Sequence, residues 1–311
     1  MRALVTGGAG FIGHHLVRGL LDAGHEVVVL DDLSSGDLGR LVEVRERIEV
    51  TEGSILDAPT LARAMGSCEV VFHLAAIASV TRSLVDPVGC TTVNVLGTLR
   101  VMEAAAGVGV RRVVFASSSA TYGIPETLPC RETLRAEPES PYGADKLAAE
   151  HYLRTLGGYH GVETACLRYF NVFGPGQDPA SEYAAVIPKF VTAILAGNRP
   201  TVFGDGTATR DFVHVSNVVR ANLLAAAPDV PSGSTCNVAS GVGTSILDLL
   251  RAIDAAIGTH TQPIFAPPRV GDIPHSIADI SRAREVLGYR VETDFAAGIQ
   301  ATVDWYRAHP A

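Results

Sequence analysis

A glycine-rich segment near the start of the chain constrains the fold more than any other feature. The sequence TGGAGFIG (residues 6–13) follows a short apolar strand candidate and opens a helix candidate. Gly7, Gly10 and Gly13 recur at three-residue spacing. Because these residues lack Cβ, they permit a tight turn, close approach of a pyrophosphate and close packing of helix on strand. The N-terminus of the helix adds N–H donors and partial positive charge. The segment therefore predicts a dinucleotide-binding βαβ unit.

The first 170 residues alternate apolar β-branched runs with helix-like stretches. Runs such as VVVL (residues 27–30) are hydrophobic throughout, which suits a parallel strand covered on both faces. This alternation predicts an α/β fold with a Rossmann-type doubly wound parallel sheet. The predicted strands are residues 3–6, 26–30, 48–50, 70–73, 112–116 and 164–168, and the predicted helices lie near residues 12–23, 60–66, 86–107 and 141–157.

The regular alternation of predicted strands and helices ends after Asn171. The turn-rich segment GPGQDP (residues 174–179) interrupts the alternation. We predict a Rossmann domain in residues 1–170, to which later segments return, and a smaller α/β lobe, mainly substrate-binding, in residues 171–311. The helices expected in that lobe lie near residues 186–196, 216–227, 245–257 and 294–308.

An acidic pair, Asp31-Asp32, ends the second predicted strand, roughly 20 residues after the glycine loop. A carboxylate at this place accepts the two hydroxyls of an adenosine ribose and repels a 2′-phosphate. No arginine follows directly, so we expect NAD rather than NADP. A polar turn alone would also explain the pair, but the position at a strand end favours the cofactor role.

A tyrosine and a lysine share one face of a predicted helix. Ser140 is the expected N-cap, Pro141 lies in the first turn, and Tyr142 and Lys146 are four residues apart. A nearby ammonium group, a cationic nicotinamide ring and a helix N-terminus would each lower the pKa of the tyrosine. The tyrosine is then expected to remove a proton from a sugar hydroxyl while hydride leaves the same carbon.

Composition restricts the remaining function classes. The 311 residues carry a formal charge of −8, which argues against a nucleic-acid partner, and apolar residues make up 47% of the chain. No apolar run reaches the ~18 residues that predict a membrane span, and we expect neither a signal peptide nor a membrane contact. Five separated cysteines without a CxxC pair favour reduced core residues in a cytoplasmic protein.

The histidines do not have the spacing of a metal site. His14 and His15 are adjacent and lack spaced partners, and His73 ends an apolar strand candidate. We therefore expect no metal, and we interpret His73 as a packed, hydrogen-bonded core histidine.

Several motifs together resemble one family. GGAGFIGHHL, LDDLSSG, FHLAA, SSSATYG, SPYGADK, RYFNVFGPGQDP, GTATRDFVHV and RVGDIPHSIAD cover essentially the whole chain. With them the sequence resembles the extended short-chain dehydrogenase/reductase family and, within it, the UDP-sugar 4-epimerases. The resemblance implies an NAD-dependent enzyme that inverts C4 of a UDP-hexose through a 4-keto intermediate. It also implies a homodimer formed through the helices near residues 90–107 and 142–157.

The resemblance also implies a set of site residues. Ser118, Tyr142 and Lys146 would be catalytic, with Tyr142 as the base. The cofactor would contact Gly7, Gly10, Phe11, Ile12, Gly13, Asp31, Asp32, Ser54, Ile55, Leu74, Ala75, Asn94, Tyr142, Lys146 and Tyr169. The family has an acid where Ser54 stands, so this contact departs from its pattern. The UDP-sugar would contact Ser118, Ser119, Tyr142, Asn171, Val186, Phe203, Arg210, Arg269, Asp272 and Ser276.

The chemistry and the sugar follow from smaller differences within the family. Related dehydratases and decarboxylases carry an acid in the segment at residues 119–121, where this chain has Ser-Ala-Thr, which favours simple epimerisation. Ser276 stands where some epimerases have a bulky tyrosine, so both UDP-glucose/UDP-galactose and UDP-GlcNAc/UDP-GalNAc are candidate substrates. Uronate epimerases tend to carry arginine near Gln177 and Asp178, so UDP-glucuronate ranks third.

Two other functions remain open at this stage. A nucleotide-sugar reductase or dehydrogenase would exchange free NAD(P)H and change its absorbance, whereas an epimerase would not. A non-catalytic NAD-binding sensor or scaffold would be expected to lack one of Ser118, Tyr142 and Lys146, and all three are present.

Overall fold

The computed structural model describes residues 1–179, 186–268 and 273–310. Its strands are β1 (Arg2–Thr6), β2 (Glu26–Asp31), β3 (Ile48–Glu52), β4 (Val70–His73), β5 (Arg112–Ser118), β6 (Glu163–Tyr169), β7 (Asn171–Phe173), β8 (Thr201–Phe203), β9 (Thr209–His214), β10 (Ser234–Val238), β11 (Gly243–Ser245), β12 (Ile264–Ala266) and β13 (His275–Ser276). Its α-helices are α1 (Phe11–Asp22), α2 (Ala58–Met65), α3 (Val80–Val85), α4 (Pro87–Thr91), α5 (Gly97–Val108), α6 (Pro141–His160), α7 (Val186–Leu195), α8 (Val215–Ala225), α9 (Ile246–Ile257), α10 (Ser281–Leu287) and α11 (Phe295–Ala308). A π-helical turn, Thr92–Leu96, joins α4 to α5, and 3₁₀ segments cover Leu38–Arg47 and Ser119–Tyr122.

Within the described residues, seven parallel strands form the central sheet in the order β10-β6-β5-β4-β1-β2-β3. The chain order reverses between β4 and β1, which creates a crevice at the carboxyl ends of these strands. Open α/β sheets bind their ligands at such a point. The sheet confirms the predicted Rossmann-type fold. The glycine loop follows β1 and faces this crevice.

Helices cover both faces of the sheet. Leu16 and Leu20 of α1 pack with Val218 and Ala221 of α8 in one core cluster. On the other face, α2, α5 and α6 contribute Met65, Met102, Leu153 and neighbouring side chains to a second cluster. Because both faces are covered, β1, β2, β4 and β5 are buried almost throughout, which explains their hydrophobic sequences.

A third cluster forms the core of a smaller lobe. It is built mainly from α7, α9 and α11 against β7 and β9, and its side chains include Phe173, Phe190, Phe212, Leu249 and Val303. The chain does not stay in this lobe, since β10 pairs in parallel with β6 and extends the central sheet. A return of later segments is what we expected, and the division at residue 170 stays a prediction.

Some elements differ from the predicted ones. The single predicted helix over residues 86–107 is divided into α4, the π-turn and α5, and α3 and α10 were not predicted. Both unpredicted helices have fewer than eight residues, too few to show a hydrophobic period. All five cysteines are buried and free. Among the described residues, no helix is both long and apolar enough to cross a bilayer.

Candidate active site

The glycine loop leaves no space for larger residues. Gly7 has a φ of +70°, and a Cβ there would lie 2.8 Å from the backbone nitrogen of Ala75. A Cβ on Gly13 would lie 2.0 Å from the carbonyl oxygen of Gly7. The loop is therefore packed directly between the end of β4 and the first turn of α1. This is the arrangement in which backbone N–H groups remain available to a pyrophosphate.

Asp31, at the end of β2, is buried and faces the loop. Its Oδ2 accepts the N–H of Ala9 at 2.9 Å, and its Oδ1 accepts the N–H of Leu33 at 2.9 Å. Burial raises the pKa of Asp31, and these two backbone hydrogen bonds oppose the rise. Each carboxylate oxygen keeps acceptor capacity for a further donor, so the carboxylate fits the two hydroxyls of a ribose.

A cavity of about 460 Å³ lies at the crevice beside the glycine loop. Many of the predicted cofactor residues line it, namely Gly7, Gly10, Phe11, Ile12, Gly13, Asp31, Asp32, Ile55, Leu74, Ala75, Tyr142, Lys146 and Tyr169. Ser54 and Asn94 do not. The Ser54 hydroxyl accepts the N–H of Leu56 at 3.2 Å. The Asn94 amide binds the backbone of Ile77 just behind the cavity wall.

The sequence analysis missed other residues of this cavity wall. They are Leu30, Ser34, Ser35, Gly53, Ala76, Ile77, Ala78, Arg82, Val93, Ala116 and Ser117. Most are direct neighbours of predicted residues along the chain. Arg82 is different, because it belongs to α3, for which the sequence shows no signal. Its guanidinium makes no hydrogen bond or ion pair with any described residue, so a cation faces the cavity.

Of the three predicted catalytic residues, Tyr142 and Lys146 line the cavity, and Ser118 lies near Tyr142 without lining it. The Ser140 hydroxyl caps α6 by accepting the N–H of Gly143 at 3.1 Å, as predicted. The N–H of Tyr142 donates to the Ser83 hydroxyl at 3.1 Å, which joins α6 to α3. The Ser118 hydroxyl, at the end of β5, accepts the N–H of Ala120 at 3.1 Å and is close enough to the phenol of Tyr142 to lower its pKa.

Lys146 is almost fully buried, and a backbone carbonyl group holds its ammonium group in place. Its Nζ donates to the carbonyl oxygen of Ala116 at 2.8 Å and lies 4.7 Å from the centroid of the Phe115 ring. The Tyr142 ring centroid is 5.9 Å away. Burial lowers the pKa of Lys146 to about 8, while the charges of Asp145 and Glu150 oppose this shift. The lysine is therefore close to its titration point at neutral pH.

The structure corrects the expectation for Tyr142. Its pKa is raised, because burial disfavours the phenolate more than the Ser118 hydroxyl favours it. The Lys146 ammonium group is directed at the carbonyl oxygen of Ala116 rather than at the phenol oxygen. The cost of removing the phenolate from water, which the residue pattern does not contain, therefore exceeds the effect of the neighbouring charges.

A second cavity, of about 650 Å³, lies in the smaller lobe. Four of the predicted substrate residues line it: Asn171, Val186, Phe203 and Arg210. Two further cations, Lys189 and Arg199, line it as well. Ser118, Ser119 and Ser276 line neither cavity, although Ser276 in β13 is paired with Arg210 in β9. Arg269 and Asp272 lie outside the described residues.

Asp211 fixes the backbone beside Arg210. Its fully buried carboxylate accepts the N–H groups of Ser240, Gly241 and Ala278 at 2.8, 3.0 and 3.2 Å. Two separate loops, one after β10 and one after β13, therefore meet on one side chain next to the guanidinium. The Asn171 amide adds a hydrogen bond to the carbonyl oxygen of Asp211 at 3.3 Å. The second cavity is thus stiff where its polar residues lie, which suits the binding of a charged ligand.

Comparison with known proteins agrees with this arrangement. The sequence model described as the NAD dependent epimerase/dehydratase family matches residues 3–239. The chain belongs to this family. Its members depend on NAD, so the cofactor of this enzyme is NAD. The tight glycine loop and the acceptor capacity of Asp31 fit that dinucleotide.

Similar proteins extend over the whole chain. The UDP-glucose 4-epimerase of Mycolicibacterium smegmatis is 46% identical, and the match covers 99% of each chain. A UDP-glucose 4-epimerase from Thermotoga maritima, solved with UDP-glucose, superposes with a TM-score of 0.94 at 38% identity over 99% of each chain. A UDP-N-acetylglucosamine 4-epimerase from Methanobrevibacter ruminantium, solved with UDP-N-acetylmuramic acid, also reaches 0.94 at 38% identity and covers 99% of this chain and 98% of its own.

Proposed function

We propose that this family member is a UDP-sugar 4-epimerase that inverts C4 of a UDP-hexose and uses NAD within a single turnover. The observation that carries the proposal is that Tyr142 and Lys146 line the cofactor cavity together, with Ser118 near enough to the phenol of Tyr142 to affect its pKa. The 46% identity to the M. smegmatis UDP-glucose 4-epimerase over the full chain supports it. The chain has no carboxylate at residues 119–121 that would suit an elimination.

Proton transfer is assigned to Tyr142. Its phenolate accepts the proton of the C4 hydroxyl, and the neighbouring Ser118 hydroxyl donates a hydrogen bond to the oxygen on which negative charge develops. NAD, when bound, supplies the acceptor for the hydride from C4 and later returns it. For the return, the phenol of Tyr142 gives its proton back to the C4 oxygen. Lys146 favours the phenolate through its positive charge below a pH of about 8.

The UDP portion is assigned to the second cavity. Arg210 offers a fork of donors that matches phosphate oxygens, with Arg269 and Asp272 as further proposed contacts. Val186 and Phe203 would lie against uridine, and Asn171 against the diphosphate or the sugar. Holding UDP firmly while the sugar is held loosely lets the 4-keto sugar rotate. A hydride delivered to the opposite face of the rotated sugar would then invert C4.

We propose that both hexoses and N-acetylhexosamines are substrates. Ser276 leaves space where a larger side chain would meet an N-acetyl group, and one similar structure is a UDP-N-acetylglucosamine 4-epimerase. UDP-glucuronate is the alternative. The Gln177 amide is occupied by the carbonyl oxygen of Val172 at 3.3 Å, whereas Arg82 is a cation on the cofactor cavity that would suit a sugar carboxylate.

We also propose a homodimer, formed through the side of the molecule that carries α3 to α6. We define the dimer surface by six of the exposed apolar side chains on this side, namely Leu84, Val85, Val88, Leu96, Tyr152 and Tyr159. The helices α4 and α6 pack together beneath it. A patch of this kind is typical of a protein interface. A cytoplasmic location fits the five free cysteines.

A single experiment tests the reaction and ranks the substrates. UDP-glucose, UDP-GlcNAc and UDP-glucuronate are incubated separately with the enzyme, and the products are identified by NMR. We expect the C4 epimers of the first two, with no deuterium at C4 in deuterated water and no net change in NADH absorbance. Consumption of free NADH would favour a reductase, and deuterium at C4 would contradict hydride return. The Tyr142→Phe variant is the matched inactive control.

A further inference from the structure

A buried histidine lies directly below the wall of the cofactor cavity. His73 ends β4 and has no exposed surface, and the next five residues, 74–78, all line the cavity. Both ring nitrogens are hydrogen-bonded. Nδ1 lies 2.8 Å from the hydroxyl of Thr6 in β1, and Nε2 lies 2.9 Å from the hydroxyl of Thr98 in α5. The ring therefore connects the central strand to the helix that covers it.

The direction of each hydrogen bond follows from the neighbours. The Thr98 hydroxyl donates to the carbonyl oxygen of Asn94 at 2.6 Å, so its oxygen accepts from Nε2–H of His73. Nδ1 is then the acceptor and receives the Thr6 hydroxyl proton. The Thr6 oxygen in turn accepts the N–H of Ala75 at 3.2 Å. With these directions each group in the hydrogen-bond chain has one role, and His73 is assigned as neutral with its proton on Nε2.

Burial agrees with a neutral ring. It lowers the pKa of His73 to about 3, and the charge of Lys146 lowers it further. Protonation of Nδ1 would turn the Thr6 hydroxyl from donor to acceptor, so the hydrogen bond that Thr6 donates to the ring would be lost. The Thr6–His73–Thr98 hydrogen-bond chain therefore keeps a neutral histidine across the physiological pH range.

The hydrogen-bond chain also reaches the cavity wall through Asn94, which accepts from Thr98 and binds Ile77. Asn94 lies in the π-turn, and its Oδ1 accepts the N–H of Ile77 at 2.8 Å while its Nδ2 donates to the carbonyl oxygen of Ile77 at 3.2 Å. Nδ2 also lies 3.4 Å from the carboxylate of Asp145, the residue before Lys146. π-turns often occur at functional sites. Here the turn places Asn94 so that its backbone carbonyl oxygen accepts the last hydrogen bond of the chain, from Thr98. Its side-chain amide binds the backbone of Ile77 in the cavity wall.

We propose that His73 is a positioning residue for the cofactor, which holds the wall segment 74–78 in place through the Thr6–His73–Thr98 chain. The segment is fixed at Ala75 through Thr6 and at Ile77 through Asn94. Without the histidine, the wall against which the cofactor lies is free to relax, and binding has to order it again. The inference rests on the proposed cofactor residues and is independent of the sugar.

The test measures NAD binding to the enzyme from which cofactor has been removed. His73→Phe keeps the ring shape and removes both hydrogen bonds. Phe72→Leu is the matched control, because Phe72 is the adjacent, equally buried aromatic residue of β4 and belongs to the core cluster on the other face. Both variants should unfold at lower temperature. Only His73→Phe should weaken NAD binding, by about tenfold or more, as expected for lost buried hydrogen bonds.

Two further variants separate positioning from packing. His73→Gln carries one donor and one acceptor, so it should recover at least part of the NAD affinity. Thr98→Val breaks the same chain one step later, so the double variant His73→Phe/Thr98→Val should bind NAD about as weakly as His73→Phe alone. If His73→Phe is too unstable to isolate, Thr6→Val and Thr98→Val are compared instead, and each should weaken NAD binding severalfold.

Several results would overturn the inference. These are unchanged NAD affinity in His73→Phe, an equal loss of affinity in Phe72→Leu, no recovery in His73→Gln, or additive effects of the His73 and Thr98 substitutions. NAD titration involves no UDP-sugar. A failure of the proposed sugar specificity would therefore leave these measurements untouched, whereas a failure of the unchanged protein to bind NAD would contradict the proposed cofactor site itself.

Discussion

At the scale of single residues, burial moves the pKa values of both Tyr142 and Lys146 toward the neutral forms. The tyrosine shifts upward and the lysine downward, to about 8. Two neutral groups are less costly in a dry site than two charged ones, because no described residue places a counter-ion at hydrogen-bond distance from either. The pair is therefore sensitive to any charge that enters the cavity, and both residues are expected to affect the pH dependence of the reaction.

Tyr142→Phe should lower the turnover rate by about 10²–10⁴, the range for loss of a positioned proton-transfer group. The substitution removes only the hydroxyl, so NAD affinity, UDP-sugar affinity and thermal stability should stay close to those of the unchanged enzyme. Turnover is measured with the best substrate from the NMR comparison, and binding by titration. A variant with near-normal turnover would remove Tyr142 from the mechanism.

Lys146→Met should move the pH–rate profile toward higher pH, because the phenolate of Tyr142 loses its nearest cation. Stability provides a second measurement. The folded-state pKa of Lys146, about 8, lies below its unfolded value of 10.5. Between these values the unfolded chain binds more protons, so the unchanged protein should gain stability relative to Lys146→Met as pH rises, by at most about 3 kcal/mol. Denaturant unfolding at pH values between about 8 and 10.5, the window between the two pKa values, measures this difference. A constant difference would mean that Lys146 is not titrating there.

Asp31→Ala should weaken NAD binding by about 10–100-fold and erode the preference for NAD over NADP, since the repulsive carboxylate is lost. Asp37→Ala is the control, because Asp37 caps the neighbouring 3₁₀ segment and does not line the cavity. Titration with both cofactors gives the affinities. Equal affinities in the unchanged protein would already contradict the role assigned to Asp31.

At the scale of elements, short segments carry much of the candidate site. The six-residue helix α3 supplies Arg82 to the cavity and Ser83 to the backbone of Tyr142, and the π-turn supplies Asn94. The two-residue strand β13 is held to β9 by parallel pairing, with Ser276 opposite Arg210. Such segments are stabilised by neighbouring elements rather than by their own length.

Ser276→Tyr should lower turnover of UDP-GlcNAc by about tenfold or more and spare UDP-glucose, because the added ring competes for space only with the N-acetyl group. Ser276→Ala keeps the space and should preserve both activities. The two substrates are compared by their values of kcat/KM. Parallel losses on both substrates, or a parent enzyme inactive on UDP-GlcNAc, would contradict the size argument.

At the scale of the whole molecule, the two lobes share strands and loops rather than a simple linker. β7 follows β6 directly and pairs with β9, while β10 returns to the central sheet beside β6. Asp211 connects β9 to the loops after β10 and β13. The second cavity is therefore placed relative to the cofactor cavity by the central sheet itself.

Val88→Glu should convert the proposed homodimer to a monomer, since Val88 is 76% exposed within the apolar dimer surface and a buried unpaired charge is costly. Val42→Glu is the control, because Val42 is similarly exposed, at 69%, in the 3₁₀ segment that contacts α1 and β3. Light scattering coupled to size exclusion gives the mass of each protein. A monomeric parent, or a Val88→Glu dimer, would locate the interface elsewhere or remove it.

The sequence by itself determined the features that depend on neighbouring residues. The glycine loop, the acid after β2 and the helical pair Tyr142 and Lys146 follow from backbone geometry within a few residues. The first six strands follow from hydrophobic runs, and each overlaps the strand observed. The family resemblance added the roles of these residues, which still await the experiments above.

Only the tertiary structure decided the features that depend on distant segments. It placed β10 next to β6, turned Asn94 toward Ile77 and connected His73 to Thr6 and Thr98, which lie 67 and 25 residues away. It also decided the direction of the Tyr142 pKa shift, which contradicts the sequence-based estimate. The physical reason is common to these cases. Desolvation and the partners of buried polar groups are properties of the packed interior, and a local pattern of residues does not contain them.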